Sequence, residues 1–477
     1  MKESLSMTAY DAIVIGSGPN GLAAAITLAE AGCRVLVIEA RDTIGGGTRT
    51  AQLTLPDFHH DICSTSHPLG IASPFFKNHN FEKFGLEWIQ PDAPAAHPLE
   101  HGDAVIVERD VTKTANSLGA DADMYRHLLT AMSNNDDKLL NDFLAPLKIP
   151  RYPLHFGLFG AIGILPASTF TNLFFKEDRT RAMFAGMAGH SIQALESPAT
   201  TAFGMMLLLL AHSVGWGIAK GGSQSITNAM AAYFESLGGE IRTNWQVTSL
   251  DELPSAKKIL FNTSPRALMT IAEDHLPSLY KKRLANFTYG AGAFKIDYAL
   301  SEPIPWANPD VARAGTVHLG GTFSEIAYSE RLAVEGIHAK KPYILLAQHS
   351  LFDDTRAPES KHTCWAYCHA PHGSTRDMTE VIDTQIERYA PGFRDIILKR
   401  HTMNTVAFEN YNPNYIGGDI NAGVQNLAQL FTRPVTRLSP YTTPNKKLYL
   451  ASSSVPPGGG VHGMGGYWAA KEALKTL

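Results

Sequence analysis

The sequence has few charged residues and few cysteines, and these shortages exclude several classes of protein. Of the 477 residues 18% are charged, the formal net charge is −4 and no long basic run occurs, which argues against nucleic-acid binding. A C-x-x-C pair is missing, so a redox dithiol is excluded and a reducing compartment, the cytoplasm, is expected. The four cysteines are Cys33, Cys63, Cys364 and Cys368. Residues 1–9 are polar and lack the apolar core of a signal peptide.

Two long stretches, residues 153–175 and 200–219, contain no Asp, Glu, Lys or Arg. Each is about long enough to cross a bilayer as a helix, but glycine interrupts both. We expect helices that line a cavity for an apolar small-molecule substrate. A surface that dips into one membrane leaflet, as in peripheral membrane contact, is the second interpretation, and a transmembrane span is the least favoured.

Residues 11–28 predict a unit that binds a dinucleotide. A short apolar strand precedes Gly16, Gly18 and Gly21, which form a G-x-G-x-x-G turn at the start of an apolar helix, and the next strand ends at Glu39. In such a unit the first glycine allows the tight turn, the second lets the backbone approach the pyrophosphate, and the third lets helix and strand pack closely. The helix N-terminus attracts the phosphates.

The acidic residue that ends the second strand indicates which dinucleotide binds. Glu39 is placed to accept the ribose hydroxyls and would repel an adenosine 2′-phosphate, so FAD or NAD is favoured over NADP. A second glycine loop follows, where Arg41 and Arg49 either neutralise pyrophosphate charge or are solvated. The cofactor contacts predicted in this part of the chain are Gly16, Gly18, Pro19, Asn20, Gly21, Glu39, Ala40, Arg41, Gly45, Gly46, Gly47 and Thr48.

The strand–turn–helix unit with its two glycine loops resembles the FAD-dependent amine oxidases and phytoene desaturases. The resemblance continues at residues 238–247 and 262–265 and in the C-terminal stretch Pro-Gly-Gly-Gly-Val-His-Gly at 457–463, so it spans the whole chain. It is strongest to the phytoene desaturase-like group that includes the pyridine nucleotide-disulfide oxidoreductase domain-containing protein 2 type. The resemblance implies FAD as the cofactor.

In these families one backbone segment meets the adenine, and the N-terminus of the last helix lies under the flavin pyrimidine. The further cofactor contacts that the resemblance implies are Val247, Gly460, Val461, His462 and Met464. Ser452 and Ser453 depart from the pattern, because many flavin oxidoreductases carry an Asp there for the ribityl chain.

A lysine lies among apolar residues in the predicted strand at residues 290–300. Such a lysine is costly unless it is paired or used. Lys295, followed by Pro303 and Trp306, resembles the lysine that holds a water at flavin N5 in flavin amine oxidases, where it would be catalytic and help reduced flavin react with oxygen. The alternative is an edge-strand lysine whose amine lies in solvent.

Histidines, cysteines and acids cluster at residues 57–67 and 362–372. Neither segment has tight metal-ligand spacing, so we interpret the first as a polar loop beside the flavin and predict no metal. The oligomeric state is left open by the sequence.

We predict an α/β fold, in which a three-layer Rossmann-like FAD-binding domain with a parallel sheet carries an inserted α+β substrate domain. The FAD-binding domain is expected to consist of residues 1–72, 215–275 and 431–477, and the substrate domain of residues 73–214 and 276–430.

The reaction that the resemblance implies is hydride removal from an apolar, isoprenoid or lipid-like substrate to FAD, followed by reoxidation by oxygen or a quinone. The uncharged runs favour this desaturase interpretation, whereas Lys295 favours an amine oxidase. A binding or scaffold protein that is stabilised by flavin and does not turn over is the third hypothesis.

Overall fold

The computed structural model describes residues 10–133, 136–146 and 149–477. The expectation for residues 1–9 lies outside these ranges. In chain order the strands are β1 (Tyr10–Ile15), β2 (Val35–Ile38), β3 (Thr50–Gln52), β4 (His59–Asp61), β5 (Trp88–Ile89), β6 (Ala93–Pro98), β7 (Ala104–Val107), β8 (Ile218–Ala219), β9 (Glu240–Arg242), β10 (Ala256–Phe261), β11 (Gly292–Leu300), β12 (Ala314–Leu319), β13 (Ile344–Ala347), β14 (His362–Ala370), β15 (Ile397–Met403) and β16 (Leu448–Leu450).

Helices connect these strands and form a separate layer beside the second sheet. In chain order they are α1 (Pro19–Glu30), α2 (Pro68–Ala72), α3 (Pro74–Lys77), α4 (Val111–Asn116), α5 (Ala122–Ser133), α6 (Asp136–Phe143), α7 (Pro153–Gly163), α8 (Ala167–Phe174), α9 (Asp178–Gly189), α10 (Thr200–Ser213), α11 (Gln224–Ser236), α12 (Pro265–Ile271), α13 (Ser278–Ala285), α14 (Phe323–Val334), α15 (Thr379–Glu387), α16 (Thr405–Tyr411), α17 (Leu427–Thr432) and α18 (Met464–Leu474).

The first sheet is parallel throughout and has the strand order β16-β10-β1-β2-β9. Its central strands are continuous apolar runs because both faces are covered, as expected for a parallel sheet. Helix α1 packs against α11 and α18 on this sheet. The predicted α/β fold with a Rossmann-like domain is therefore confirmed. The strands come from residues 10–38, 240–261 and 448–450, within the three expected segments, while the segment bounds stay a prediction.

The second sheet has the order β15-β11-β14-β13-β12-β6-β7, and its pairs are antiparallel except for β6 with β12. Strand β14 shows the period of two that separates its faces. Cys364 and Cys368 face an apolar core that α15 covers, whereas Trp365 and Tyr367 face the opposite side. This sheet therefore presents aromatic side chains toward the FAD-binding domain.

Helix α9 approaches the second sheet closely because two of its residues lack side chains. A Cβ added at Gly186 would lie 2.8 Å from the His318 ring, and one at Gly189 would lie 2.6 Å from the Tyr343 ring. The Tyr343 hydroxyl donates a hydrogen bond of 2.6 Å to the Gly186 carbonyl. The end of α9, and with it His190, is thereby fixed against β12 and β13.

The first uncharged run forms α7 and α8, and the second contains α10. Within the described ranges no helix alone has both the length and the apolar character to cross a membrane; α7 and α8 would pass that test only as a pair, and they meet at 97°. Helix α10 is largely buried, but Leu154 of α7 is 85% exposed and Leu173 of α8 is 68% exposed. The two runs therefore have different surroundings.

Replacing Gly189 by alanine is expected to destabilise the protein, because the new methyl group overlaps the Tyr343 ring. Overpacking of this kind costs about 1–3 kcal/mol. The measurement is the midpoint of thermal unfolding, followed by circular dichroism. Gly157→Ala in α7 is the matched control, because a Cβ there meets nothing within 4 Å; it should be neutral or stabilising by roughly 0.5–1 kcal/mol. Equal midpoints for the two variants would contradict the packing described for α9.

Candidate active site

A cavity of about 690 Å³ opens between the two sheets. Its walls come from the carboxyl ends of β1 and β2, from the loop after β10, and from the aromatic face of β14. Ligands of open parallel sheets bind at the carboxyl ends of the strands. The cavity therefore joins a dinucleotide end, at the first sheet, to a substrate end, at the second sheet.

The G-x-G-x-x-G turn forms the dinucleotide end of the cavity, and its glycines leave no room for side chains. Gly16 has φ +97°, and a Cβ there would lie 2.9 Å from the Asn262 carbonyl oxygen. A Cβ at Gly18 would lie 3.0 Å from the Asn262 amide, and one at Gly21 would overlap the Gly16 carbonyl. Gly18 caps α1 and Pro19 is its first residue, so the free N–H groups of this helix face the cavity. These features fit a pyrophosphate.

Glu39 lies at the end of β2 and its carboxylate is fully engaged. It accepts hydrogen bonds from the Ser17 amide at 3.0 Å, the Ser17 hydroxyl at 2.6 Å and the Arg41 amide at 3.0 Å. Arg49 donates to it at 3.0 Å and is itself buried, so the interpretation of Arg49 as solvated is wrong. The Arg41 guanidinium donates to the carbonyls of Asn410 and Tyr411, which brings α16 to the cavity rim.

Part of the second glycine loop lines the cavity, and part of it lies behind the cavity wall. Gly46, Gly47 and Thr48 line the cavity. Gly45 lies behind them with φ +118°, and a Cβ there would lie 3.0 Å from the Thr227 hydroxyl on α11. The Thr48 hydroxyl donates to the Gly45 carbonyl at 2.9 Å, which closes the loop.

Residues 240–247, the segment whose backbone is predicted to meet the adenine at Val247, differ from their predicted structure. The sequence predicts a strand that reaches Val247, but β9 ends at Arg242. Asn244 adopts φ +56°, and the amides of Asn244 and Trp245 donate to the carbonyls of Arg41 and Glu39. The chain therefore crosses the end of β2 instead of continuing along it, and Val247 lines the cavity from a loop.

The C-terminal glycine segment lies beside this wall. Gly460 and Val461 line the cavity, whereas His462 and Met464 are buried behind it. The Met464 amide donates to His462 Nδ1 at 3.0 Å, and the Ser73 hydroxyl donates to the His462 carbonyl at 2.6 Å. Burial lowers the pKa of His462 to about 4, so its ring is neutral near pH 7.

The cavity brings most of the predicted cofactor contacts together. Those that line it are Gly16, Gly18, Pro19, Asn20, Glu39, Ala40, Arg41, Gly46, Gly47, Thr48, Val247, Gly460 and Val461. Those that lie behind its wall are Gly21, Gly45, His462 and Met464. Their roles toward a bound cofactor stay a prediction.

Lys295 is 1% exposed and lies on β11, which is paired on both sides by β14 and β15. The interpretation as an edge lysine in solvent is therefore wrong. Its amine forms an ion pair with Asp297 and lies 6.0 Å from the ring centre of Trp365, which lines the cavity. Burial raises the pKa of Asp297, but Lys295 and the neighbouring histidines outweigh this and lower it overall. Contact of Lys295 with a flavin stays a prediction.

The substrate end also contains residues that the sequence did not predict. They are His190, Leu345, Trp365 and Tyr367, and they lie beside Leu207 and Trp216. Leu207 and Trp216 belong to the second uncharged run, as expected, whereas no described residue of 153–175 lines the cavity. The alternation of aromatic and small residues in β14 is the signal that predicts one aromatic face. The placement of His190 has no such signal, because it depends on the packing of α9.

Two histidines form a hydrogen-bonded pair at this end. His190 Nε2 and His318 Nε2 are 2.9 Å apart, so one nitrogen carries the proton and the other accepts it. Burial lowers the pKa of His190 to about 3 and that of His318 well below its usual value. Both rings are therefore neutral near pH 7. Trp216 meets the His190 ring edge to face at 5.6 Å.

The charges of the cavity wall are distributed unevenly. Among the described lining residues Glu39 is the acidic one, and it lies at the dinucleotide end. The substrate end thus carries aromatic and aliphatic side chains, the neutral imidazole of His190 and the hydroxyl groups of Thr316 and Ser66, but no charged side chain among the described residues. Within the described ranges no three His, Cys, Asp or Glu side chains converge as a metal site.

Comparison with known proteins agrees with this geometry. Residues 14–76 match the NAD(P)-binding Rossmann-like domain family. The chain is 25% identical over 559 aligned residues to pyridine nucleotide-disulfide oxidoreductase domain-containing protein 2 of Rattus norvegicus, covering 98% of this chain and 94% of that protein. A shorter likeness, 31% identity over 134 residues, covers 27% of this chain and 24% of a limonene dehydrogenase polypeptide of Castellaniella defragrans.

Among solved structures, cyclohexylamine oxidase from Brevibacterium oxydans has the same fold, with a TM-score of 0.58, 15% identity and 98% of each chain covered. The predicted resemblance is confirmed, and so is the prediction of a dinucleotide site of the FAD type. Along almost its whole length the chain is thus similar to pyridine nucleotide-disulfide oxidoreductase domain-containing protein 2, which indicates an oxidoreductase with a Rossmann-like dinucleotide-binding domain, and it shares its fold with cyclohexylamine oxidase.

Proposed function

We propose that this protein is an FAD-dependent dehydrogenase that removes hydride from an apolar substrate of the isoprenoid or lipid class. The observation that carries the proposal is the composition of the substrate end, where Leu207, Trp216, Leu345, Trp365 and Tyr367 leave no charged side chain on the described wall. Such a wall favours an uncharged apolar molecule over a charged one, since a buried charge needs a partner.

FAD would be held by the glycine turn of residues 16–21, by Glu39 and by the loops at 45–48 and 458–461. Bound FAD would supply the hydride acceptor, and oxygen or a quinone would return the flavin to its oxidised form. The protein contributes a cavity that orients the substrate, because positioning accounts for much of the rate in such reactions.

Formation of a carbon–carbon double bond also releases a proton from the carbon next to the hydride donor. We propose that His190 takes this proton. Its Nε2 is engaged with His318, so Nδ1 is the nitrogen that remains for substrate, and the neutral ring is the basic form. His318 then shares the added charge through the 2.9 Å hydrogen bond. The end of α9 favours a positive charge at this position.

The local likeness to the limonene dehydrogenase polypeptide supports an apolar substrate. An amine oxidase is the second candidate, favoured by the buried lysine Lys295 and by the fold shared with cyclohexylamine oxidase. A non-catalytic flavin-binding protein is the third, favoured by Ser452 and Ser453 where an Asp is frequent.

The proposed function is tested by anaerobic titration of the FAD-loaded protein. We expect detergent-solubilised polyenes or cyclic terpenes to bleach the oxidised flavin band, because they fill the apolar end of the cavity. Primary and secondary amines, added separately, should leave the band unchanged. Bleaching by an amine would instead establish the oxidase, and its next variant would be Lys295→Met, with slower reoxidation expected.

Bleaching by neither class would favour the non-catalytic protein. A purified protein that takes up no FAD would overturn the assignment as a whole.

With a substrate that bleaches the flavin, His190→Gln is expected to slow bleaching by about 10²- to 10⁴-fold, the usual contribution of a general base. Because the pKa of His190 is about 3, its neutral form persists from pH 5 to 8, and the wild-type rate should be constant over that range and fall only toward pH 3. Stopped-flow absorbance measures both effects. His275→Gln, at an exposed histidine, is the control and should not change the rate. A wild-type rate that falls with a midpoint near pH 6.5 would contradict a base with this pKa.

We also propose peripheral membrane contact through α7 and α8, because each helix exposes a leucine, Leu154 and Leu173, of the kind that enters one leaflet. The double variant Leu154→Gln with Leu173→Gln is expected to reduce cosedimentation with phosphatidylcholine–phosphatidylglycerol vesicles. Leu279→Gln is the matched control, since Leu279 is 63% exposed on α13 and outside these two helices. Equal sedimentation of the three proteins would overturn the proposal.

A further inference from the structure

Arg433 is an arginine that is buried completely in the wall of the FAD-binding domain. It follows α17 and is 1% exposed. Its guanidinium donates to the Ser453 carbonyl at 2.9 Å, the Gln425 side-chain oxygen at 2.9 Å and the Ala422 carbonyl at 3.3 Å. A longer contact of 3.4 Å reaches the Ser454 carbonyl. The guanidinium therefore joins the segment after β16 to the loop at residues 419–425.

These contacts engage four of the five N–H groups of Arg433 but do not neutralise its charge. All four acceptors are uncharged oxygens. Asp419 is the carboxylate that acts on Arg433 electrostatically, but its oxygens accept the amides of Gly290, Asn421 and Gly423. Burial lowers the pKa of Arg433 to about 10, so it stays charged at neutral pH.

Another buried arginine of this chain shows what full compensation looks like. Arg356 is also 1% exposed, and it forms ion pairs with Asp61 at 3.1 Å and with Asp353 at 2.9 Å. A buried cation without such partners costs free energy. The buried charge of Arg433 therefore has a cost in folding free energy, which a function of that charge would explain.

The acceptors of Arg433 belong to the cavity wall. Ala422, Ser453 and Ser454 line the cavity, so the guanidinium lies directly behind the backbone of the cavity wall. The Ser453 hydroxyl accepts from the Asn20 side chain at 3.2 Å, which connects this wall to the start of α1. At this wall the chain has Ser452 and Ser453 where many flavin oxidoreductases carry an Asp, so the wall lacks the negative charge of that acid.

We propose that Arg433 is a positioning and tuning residue, whose buried charge stabilises the reduced, more negative form of bound FAD and so favours acceptance of electrons. The inference rests on FAD binding, which the proposed function shares, but it does not depend on the substrate. Preorganised charge in a site of low dielectric acts strongly on a ligand whose charge changes. The polar contacts hold the guanidinium in place without offsetting its charge.

The test is the midpoint potential of the FAD-loaded protein, measured by equilibration with redox dyes. Arg433→Met should bind reduced FAD at least tenfold more weakly relative to oxidised FAD, which is a shift of about 30 mV toward negative potential for a two-electron couple. Gln425→Met removes one hydrogen bond and leaves the charge, so its potential should equal that of the wild type. An unchanged potential in Arg433→Met would overturn the proposal.

A lysine variant keeps the test decisive even where Arg433→Met does not fold. Arg433→Lys should have the wild-type potential at low pH, where the lysine is charged. As the pH rises its potential should fall below that of the wild type, because burial lowers the pKa of a lysine into the measurable range whereas an arginine stays charged. Burial raises the pKa of Asp419, the carboxylate that acts on this position, so the wild type is measured over the same pH range to account for its titration. Parallel pH dependence in the two proteins contradicts the proposal. The dye measurement needs no substrate, so it can contradict the role of Arg433 while the proposed function stands. The proposed function fails instead when no substrate bleaches the flavin. A chain that binds no FAD overturns both.

Discussion

The structure depends on the close approach of bare backbone at the glycine turn between β1 and α1. The Cβ positions of Gly16 and Gly21 are occupied by the Asn262 and Gly16 carbonyls, so the turn, the helix and the end of β10 form one packed unit. This contact brings the second segment of the sheet, through β10, beside the first. Because β16 then pairs with β10, the C-terminal glycine segment reaches the same edge of the sheet. Three distant parts of the chain thus meet at the cavity.

The second constraint is the compensation of charge in a largely apolar interior. Glu39 is matched by Arg49, Lys295 by Asp297, and Arg356 by two aspartates. Each pair ties two segments or two neighbouring strand positions, and removing one partner would leave the other buried and unpaired, which is the costly case. The same rule explains why the histidines at the substrate end are neutral: desolvation outweighs any nearby charge there.

The sequence predicts the parts of this protein that depend on local patterns. The G-x-G-x-x-G turn, the strand that ends at Glu39 and the fold class follow from spacing and periodicity, and the structure confirms them. The error at Val247 has a physical cause, because the backbone amides of residues 244 and 245 find partners at the end of β2 and stop the strand early. No periodicity in the sequence could show this competition.

The substrate end was not predictable for a related reason. His190 reaches the cavity because α9 has glycines where it meets His318 and Tyr343, and that contact lies between segments that are more than 120 residues apart. Lys295 illustrates the same limit: its burial cost is visible in the sequence, but its partner Asp297 is recognisable only once β11 is seen to lie inside the sheet.

Two of the buried cations near the cavity, Lys295 and Arg433, differ in what they contribute to its field. The charge of Lys295 is largely offset by Asp297, which His60 and His401 also approach at 3.6 Å. That cluster therefore acts as a nearly neutral dipole, whose field falls off steeply with distance. The described hydrogen-bond partners of Arg433 are uncharged oxygens, and Asp419 acts on it without a direct hydrogen bond, so the charge of Arg433 is offset less closely than that of Lys295. Net positive potential at the dinucleotide wall thus comes from Arg433 more than from the lysine, although the lysine is the residue that a family resemblance brings to attention first.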